Sequence, residues 1–405
     1  MISGLIIQRE IMMHNRNISK LNKTRLTALM LGIGLTGSVL SCTAYAEAVP
    51  GALHTAEEMA HLSDDDLEWD EIDGLISEYN ATVVKNRTEW GNDERRSYNS
   101  KQVSDYLIEK ADEYDALYDE YADVSAMVAA NYKTNADKMR LQAESNVSDF
   151  EVIKLSYDLV EKQTAESARK AFLNYYQSMY EKEYDDANAA YLEKLYASTV
   201  NRHNVGMATD MDVLTAKENL DTAKAAVLTA QSNIGSSRNA LLVMCGWKYD
   251  SATAAIGALP SVSAEEVSAI SYEADMQKAK AANITLKSDE IKLRNAKSGS
   301  YTSLVVEQNQ NQLKDDTESF GINFKSVYDS YVNAAEGYTN AVNDKANAER
   351  NMAAADKQLS LGMLSNIEYE GKKNSLKAAE LAERKAYIAL ISAKSAYESA
   401  LGGNV

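Results

Sequence analysis

The sequence predicts an all-α protein of duplicated long antiparallel helical hairpins, coiled-coil in character, with at most a vestigial β segment. Three observations carry that prediction. The 405 residues include only 2 Pro and 18 Gly beside 25% charged residues, so long stretches run without an interruption. The apolar positions Val213, Ala216, Leu220, Ala223, Val227, Ala230 and Ile234 advance by alternating steps of three and four, which is the coiled-coil period. A glycine-centred corner occurs twice, as NVGMATDMDVLTAKENL (204–220) and SLGMLSNIEYEGKKNSL (360–376).

The first element is a leader. A basic segment, NRNISKLNKTR (15–25), precedes an apolar run, LTALMLGIGLTGSVL (26–40), and AYA follows at Ala44–Ala46. This layout reads as a secretory signal over residues 1–46, so the chain is expected to be exported. The stretch VLSC at Val39–Cys42 resembles a lipoprotein box, with Leu40 where a small residue is more usual. Cys42 is therefore a candidate lipidation site. No later stretch approaches about 20 unbroken apolar residues, the length a single spanning helix needs. The formal charge is −18, and with the leader contributing +4 the remainder carries −22. That charge disfavours nucleic acid and anionic membrane surfaces as partners. Cys245 is the one cysteine outside the leader, so no disulfide framework holds the fold. Its setting, ALLVMCGW, reads as core.

A polar segment at 47–67 leads into a first repeat at 68–256. Ser63 ahead of Asp64–Asp66 has the pattern of an N-cap with acids in the first helical turn. Counting from Asp64, an EF-hand loop would need glycine where Trp69 stands, so calcium binding is rejected. Between Ser100 and His203 there is neither Pro nor Gly, and the three-four spacing of Tyr114, Leu117, Tyr118, Tyr121 and Val124, and later of Tyr184, Ala187, Tyr191 and Leu195, predicts regular helix with these residues on one stripe. A helix of about 60 residues would be about 90 Å long. At the first corner Gly206 takes a left-handed turn and Thr209 or Asp210 caps the outgoing helix.

The second half repeats the first. Gly206 and Gly362 stand 156 residues apart, and the same offset pairs Asp212 with Glu368, Leu220 with Leu376 and Gly246 with Gly402. Upstream, LISEYNATV (75–83) resembles KAKAANITL (278–286) at an offset of 203, which leaves 47 extra residues inside the first copy. A linker, GALPSVSAEE (257–266), joins the first repeat to the second at 267–405. Within the second, YTSLVVE (301–307) has the composition of one short strand.

These residues resemble a family. The run from Asn201 to Gly246, and its counterpart from LGMLSNIEYE to SALGG, are similar to the corner and following helix of TolC, the outer-membrane efflux and secretion duct. The resemblance covers roughly residues 68–403. It implies a homotrimer whose hairpins form a hollow helical tube. The corners would lie at the tip, where a periplasmic adaptor docks and an inner-membrane pump supplies energy. On that resemblance Val205, Gly206, Met207, Leu361, Gly362 and Met363 are the adaptor contact, and Asn201, Asp212 and Glu368 are gate-like. The family's gate tyrosine and arginine fall at Leu359 and Leu364, which cannot make an ionic latch. The family also inserts two strands per repeat to build a membrane barrel. The sequence offers at most Tyr301–Glu307 for this, so the resemblance is to a member lacking most of the barrel.

Nothing points to catalysis or a cofactor. His54 and His61 are too far apart for one helical turn, and no phosphate loop or nucleophile elbow is present. The 24 Tyr read as packing. Two functions fit: a passive duct component, or a non-transport coiled-coil envelope spacer or scaffold.

Overall fold

A computed structural model of the chain describes residues 54–405 except 94, 123–125, 250, 252–253 and 300. The leader and Cys42 lie outside the described residues. The elements are α1 (Ala56–Leu62), β1 (Asp66–Leu67), α2 (Ile72–Tyr79), α3 (Ala81–Asn92), α4 (Ser100–Tyr121), α5 (Ala126–Ser145), α6 (Phe150–Asn204), α7 (Asp210–Met244), β2 (Ala255–Ile256), a 3-10 turn (Ala264–Ala269), α8 (Tyr272–Ala282), α9 (Ile284–Ser298), α10 (Ser303–Ser360) and α11 (Asn366–Leu401). Among the described residues no helix is long and apolar enough to cross a membrane.

The two long hairpins are α6–α7 and α10–α11, with helices of 55, 35, 58 and 36 residues. At about 1.5 Å per residue the longest runs about 87 Å. Helices α6 and α11 pack against each other, so the four lie in the order α7, α6, α11, α10. The seam read from the sequence is the one α7 buries: Ala216, Leu220, Ala223 and Ala230 are buried, and Val213, Val227 and Ile234 half-buried. Alanine at alternate seam positions lets the axes approach closely.

The bulk of the core sits at the end far from the corners. Phe172 of α6, Leu241 and Leu242 of α7, Phe324 of α10, and Leu390 and Ile391 of α11 meet Leu67, Ile72, Leu75 and Ile76 there. Beyond Ala335, the remaining buried residue of α10 is Ala355. The hairpins therefore leave a well-filled base as thin, alanine-lined pairs. Cys245 belongs to the base, and burial pushes its thiol up to about 12, so it is inert at neutral pH. Tyrosine does more than pack. The hydroxyls of Tyr176 and Tyr387 donate to the carbonyls of Gly257 and Pro260, and Tyr387 also accepts from Val262 N–H, tying the segment between the repeats to α6 and α11.

Four expectations are corrected. The Ser100–His203 stretch is three helices, broken after Tyr121 and again at 146–149, where Asp149 accepts from Val152 N–H at 3.1 Å and starts α6. At 146–149 a short polar side chain starts the next helix without Pro or Gly. Ser63 closes α1 rather than opening a helix, and Asp66–Leu67 instead pair in parallel with Ala255–Ile256. Tyr301–Glu307 is no strand: Thr302 caps α10, and helix begins at Ser303. The partner of Gly246 (φ 92°) is Gly403 (φ 98°), because α11 is one residue longer than α7 and Gly402 keeps a helical φ.

The 47 residues by which the two offsets differ correspond to one structural feature. They are the α4–α5 hairpin, set between α3 and α6 where the second copy passes from α9 to α10 through residues 299–302. A small core of Val103, Leu107, Ala143 and Phe150 anchors it.

Each repeat re-enters its base through an asparagine. Asn80 Oδ1 caps α3 by accepting from Thr82 and Val83 N–H, while its Nδ2 donates to Met244 O at 2.8 Å. Asn283 caps α9 through Leu286 N–H and turns its Nδ2 toward Val405 O. One side chain thus caps a short helix and holds the end of a long one. Asn80→Ala is expected to cost about 2 kcal/mol. Urea unfolding checks this, and a loss below about 0.5 kcal/mol would rule out the double role.

Candidate functional site

The two corners are the same object at atomic detail. At the first, Gly206 has φ 76°, its N–H reaches His203 O at 2.9 Å, and Met207 N–H reaches Arg202 O at 2.7 Å. At the second, Gly362 has φ 69°, its N–H reaches Leu359 O at 3.0 Å, and Met363 N–H reaches Gln358 O at 2.8 Å. This six-to-one bond over a left-handed glycine is a Schellman motif, which satisfies the last carbonyls of the incoming helix. A Cβ on either glycine would meet nothing within 4 Å. Conformation, not space, requires glycine here.

Each outgoing helix starts with a capping box. Thr209 Oγ1 accepts from Asp212 N–H at 3.2 Å, and the Asp212 carboxylate accepts from Thr209 N–H and Oγ1, both at 2.8 Å. Ser365 and Glu368 repeat the exchange. The bonds from Thr209 hold Asp212 below the usual carboxylate range, and those from Ser365 do the same for Glu368. The structure therefore places the two gate-like acids as helix caps, each engaged within its own corner. Asn201 is exposed on the last turn of α6, beside an open groove of about 500 Å³ that Val200, Lys217 and Leu220 also line.

What the corners present is apolar. Val205, Met207, Leu361 and Met363 are each about 70% exposed, and Met211 and Leu214 continue the surface along α7. Large apolar side chains at a helix corner add nothing to capping, so their exposure is unexplained by the fold. Behind them the hairpins are tied by polar contacts: Lys194 to Glu370 at 2.6 Å and Asn374 to Asn188 at 3.0 Å. Gly371 faces the Tyr191 ring. These ties were missed in the sequence, because which α6 residue faces which α11 residue depends on the packing of two segments nearly 180 residues apart.

Elsewhere, His61, Asp64 and Glu71 come together with His61 Nδ1 at 2.5 Å from Glu71 Oε1. Glu71 also accepts from Glu68 N–H, and His61 and Asp64 stand in solvent, so the group is satisfied as a hydrogen-bonded surface cluster.

No protein-family model matches the chain, and neither does any curated protein. Solved structures do. The Campylobacter jejuni CmeC outer membrane channel aligns with a TM-score of 0.54 and 9% identity, over 92% of this chain and 95% of that one. The fold is TolC-like. The outer membrane protein VceC from Vibrio cholerae aligns at 0.49 and 11% identity, over 83% of this chain and 96% of that one. The likeness to CmeC is one of shape, at 9% sequence identity. Where the TolC resemblance leads one to expect barrel strands, the described residues of this chain have a helical hairpin in one repeat and a short turn in the other.

Proposed function

We propose that the chain is one subunit of a passive helical duct for efflux or secretion in the cell envelope, closed by three copies and docked at its glycine corners. The observation that carries this reading is the state of the two flanking helices. Within one chain α7 and α10 are the edges of the four-helix layer. Both expose large apolar residues away from the corners: Leu228 on α7, Ile322 and Val342 on α10. A free-standing spacer needs only its internal seams, whereas a closed ring buries both flanks. Three copies would supply twelve long helices to the wall. The likeness to channels of TolC-like fold supports the same reading, as does the expected export.

The apolar corners then serve as the docking surface for a periplasmic adaptor, whose pump supplies the energy. Gly206 and Gly362 shape the turns, and Val205, Met207, Leu361 and Met363 supply contact area, with no catalytic group required. Any gating would work through contacts other than an ionic latch at Leu359 and Leu364.

Native mass measurement of the purified chain at near-physiological salt is expected to give a trimer. Leu228→Glu combined with Ile322→Glu is expected to yield monomers with unchanged helical content. A wild-type chain that remains monomeric at micromolar concentration would overturn the duct and leave the spacer or scaffold.

A further inference from the structure

Asp289 lies on α9 where that helix packs against the first turns of α10, and it is only 3% exposed. Its Oδ1 receives Lys292 Nζ at 3.0 Å, while its Oδ2 is buried without a hydrogen-bond partner. Across the interface the carboxyl of Asp316 on α10 comes within hydrogen-bonding reach. Ionising Asp289 would bury a charge with one oxygen unpaired beside a second carboxyl, and a proton on Asp289 relieves this. With that proton Asp289 is neutral; without it, a buried carboxylate is left that Lys292 meets at one oxygen only.

We propose that Asp289 keeps a proton in this buried site and, facing Asp316, forms a pH-sensitive clasp that holds α9 against α10. When the proton leaves to solvent, α9 is released from α10 while the long hairpins stay in place. Several other charges near α9 have partners of their own. Gln312, one turn before Asp316 on α10, is neutral and donates to Asp316 Oδ2 at 2.7 Å. From α6, Asp149 accepts from Asn295 at the far end of α9, and both Asp149 and Glu151 face Arg294. Helix α8 carries Glu273, Asp275, Lys278 and Lys280, of which Asp275 accepts from Tyr397. Lys292 already neutralises one charge of the pair, so a proton suits the site better than a divalent cation.

Burial first, and the bond with Asp316 second, push Asp289 up from 3.8 to about 6. An acid raised in the folded state stabilises fully below its unfolded value, and that contribution is lost as pH rises through the folded one. The clasp is therefore closed below about pH 4 and opens through about pH 6. The interval sets a ceiling of about a hundredfold on the change in the opening equilibrium.

Hydrogen exchange of the full chain, corrected for intrinsic rates, tests this. Between about pH 5 and pH 7.5 the amides of residues 284–298 should lose about ten- to a hundredfold protection, with α6 and α11 unaffected. Asp289→Asn should abolish the dependence and keep α9 protected at both pH values. Asp316→Asn, which leaves Asp289 paired with Lys292 alone, should shrink it, and this variant decides the matter if Asp289→Asn folds poorly. Flat protection in the wild type would overturn the clasp. So would a dependence that is undiminished in Asp316→Asn, or one set by added magnesium or calcium rather than by protons.

Discussion

Gly403→Ala is expected to destabilise the chain by about 3 kcal/mol, while Gly362→Ala, at a position with the same left-handed backbone, costs about 1 kcal/mol. The two glycines share a reason and differ in a second. Both sit at φ between 69° and 98°, where a Cβ strains the backbone. At Gly403, however, a Cβ would stand 2.3 Å from the carbonyl oxygen of Ala282, which cannot swing aside as a side chain would. At Gly362 it would meet open space. Gly246 and Gly206 repeat the contrast, Gly246 being closed by Tyr79 at 2.3 Å. Urea titrations of the four alanine variants at one protein concentration measure it. Equal costs at base and corner would mean that the base packing described here is wrong.

Phe172→Ala should be the more damaging single core change, at about 4 kcal/mol. Phe172 is fully buried, with Trp69 edge-on at 5.5 Å and Tyr176 at 5.4 Å. It joins α6 to the N-terminal segment that carries β1 and α2. Removing it leaves a cavity among long rigid helices that cannot collapse onto it, so the loss should lie near the upper part of the usual range. Leu228→Ala, at a residue 72% exposed in the single chain, should leave the monomer within about 0.5 kcal/mol of wild type. If Phe172→Ala cost less than about 1.5 kcal/mol, stability would have to reside in the hairpins and not at the base.

Much of the architecture was legible because long helices are specified locally. The seam from Val213 to Ile234 named the buried face of α7 correctly, since three-four spacing allows one stripe to face a neighbour. The corners were legible because a left-handed residue followed by a Thr or Ser cap with an acid three positions on leaves a signature in adjacent residues. The expectation of a duplication rested on two such signatures at a constant offset. The same locality explains the errors. The break at 146–149 used Asn, Ser and Asp where Pro or Gly was awaited, and the one-residue slip between Gly402 and Gly403 falls at a helix end, where either glycine satisfies the sequence pattern.

By itself, then, the sequence determined helix, corner and seam, all of which are set by residues within two turns of one another. Tertiary structure decided the rest. It placed α6 beside α11, left α7 and α10 as apolar edges, folded the 47 additional residues into a hairpin of their own, and set Asp289 against Asp316. Those outcomes depend on which helix faces meet across long stretches of chain. Periodicity says that a face is buried; only packing says against what.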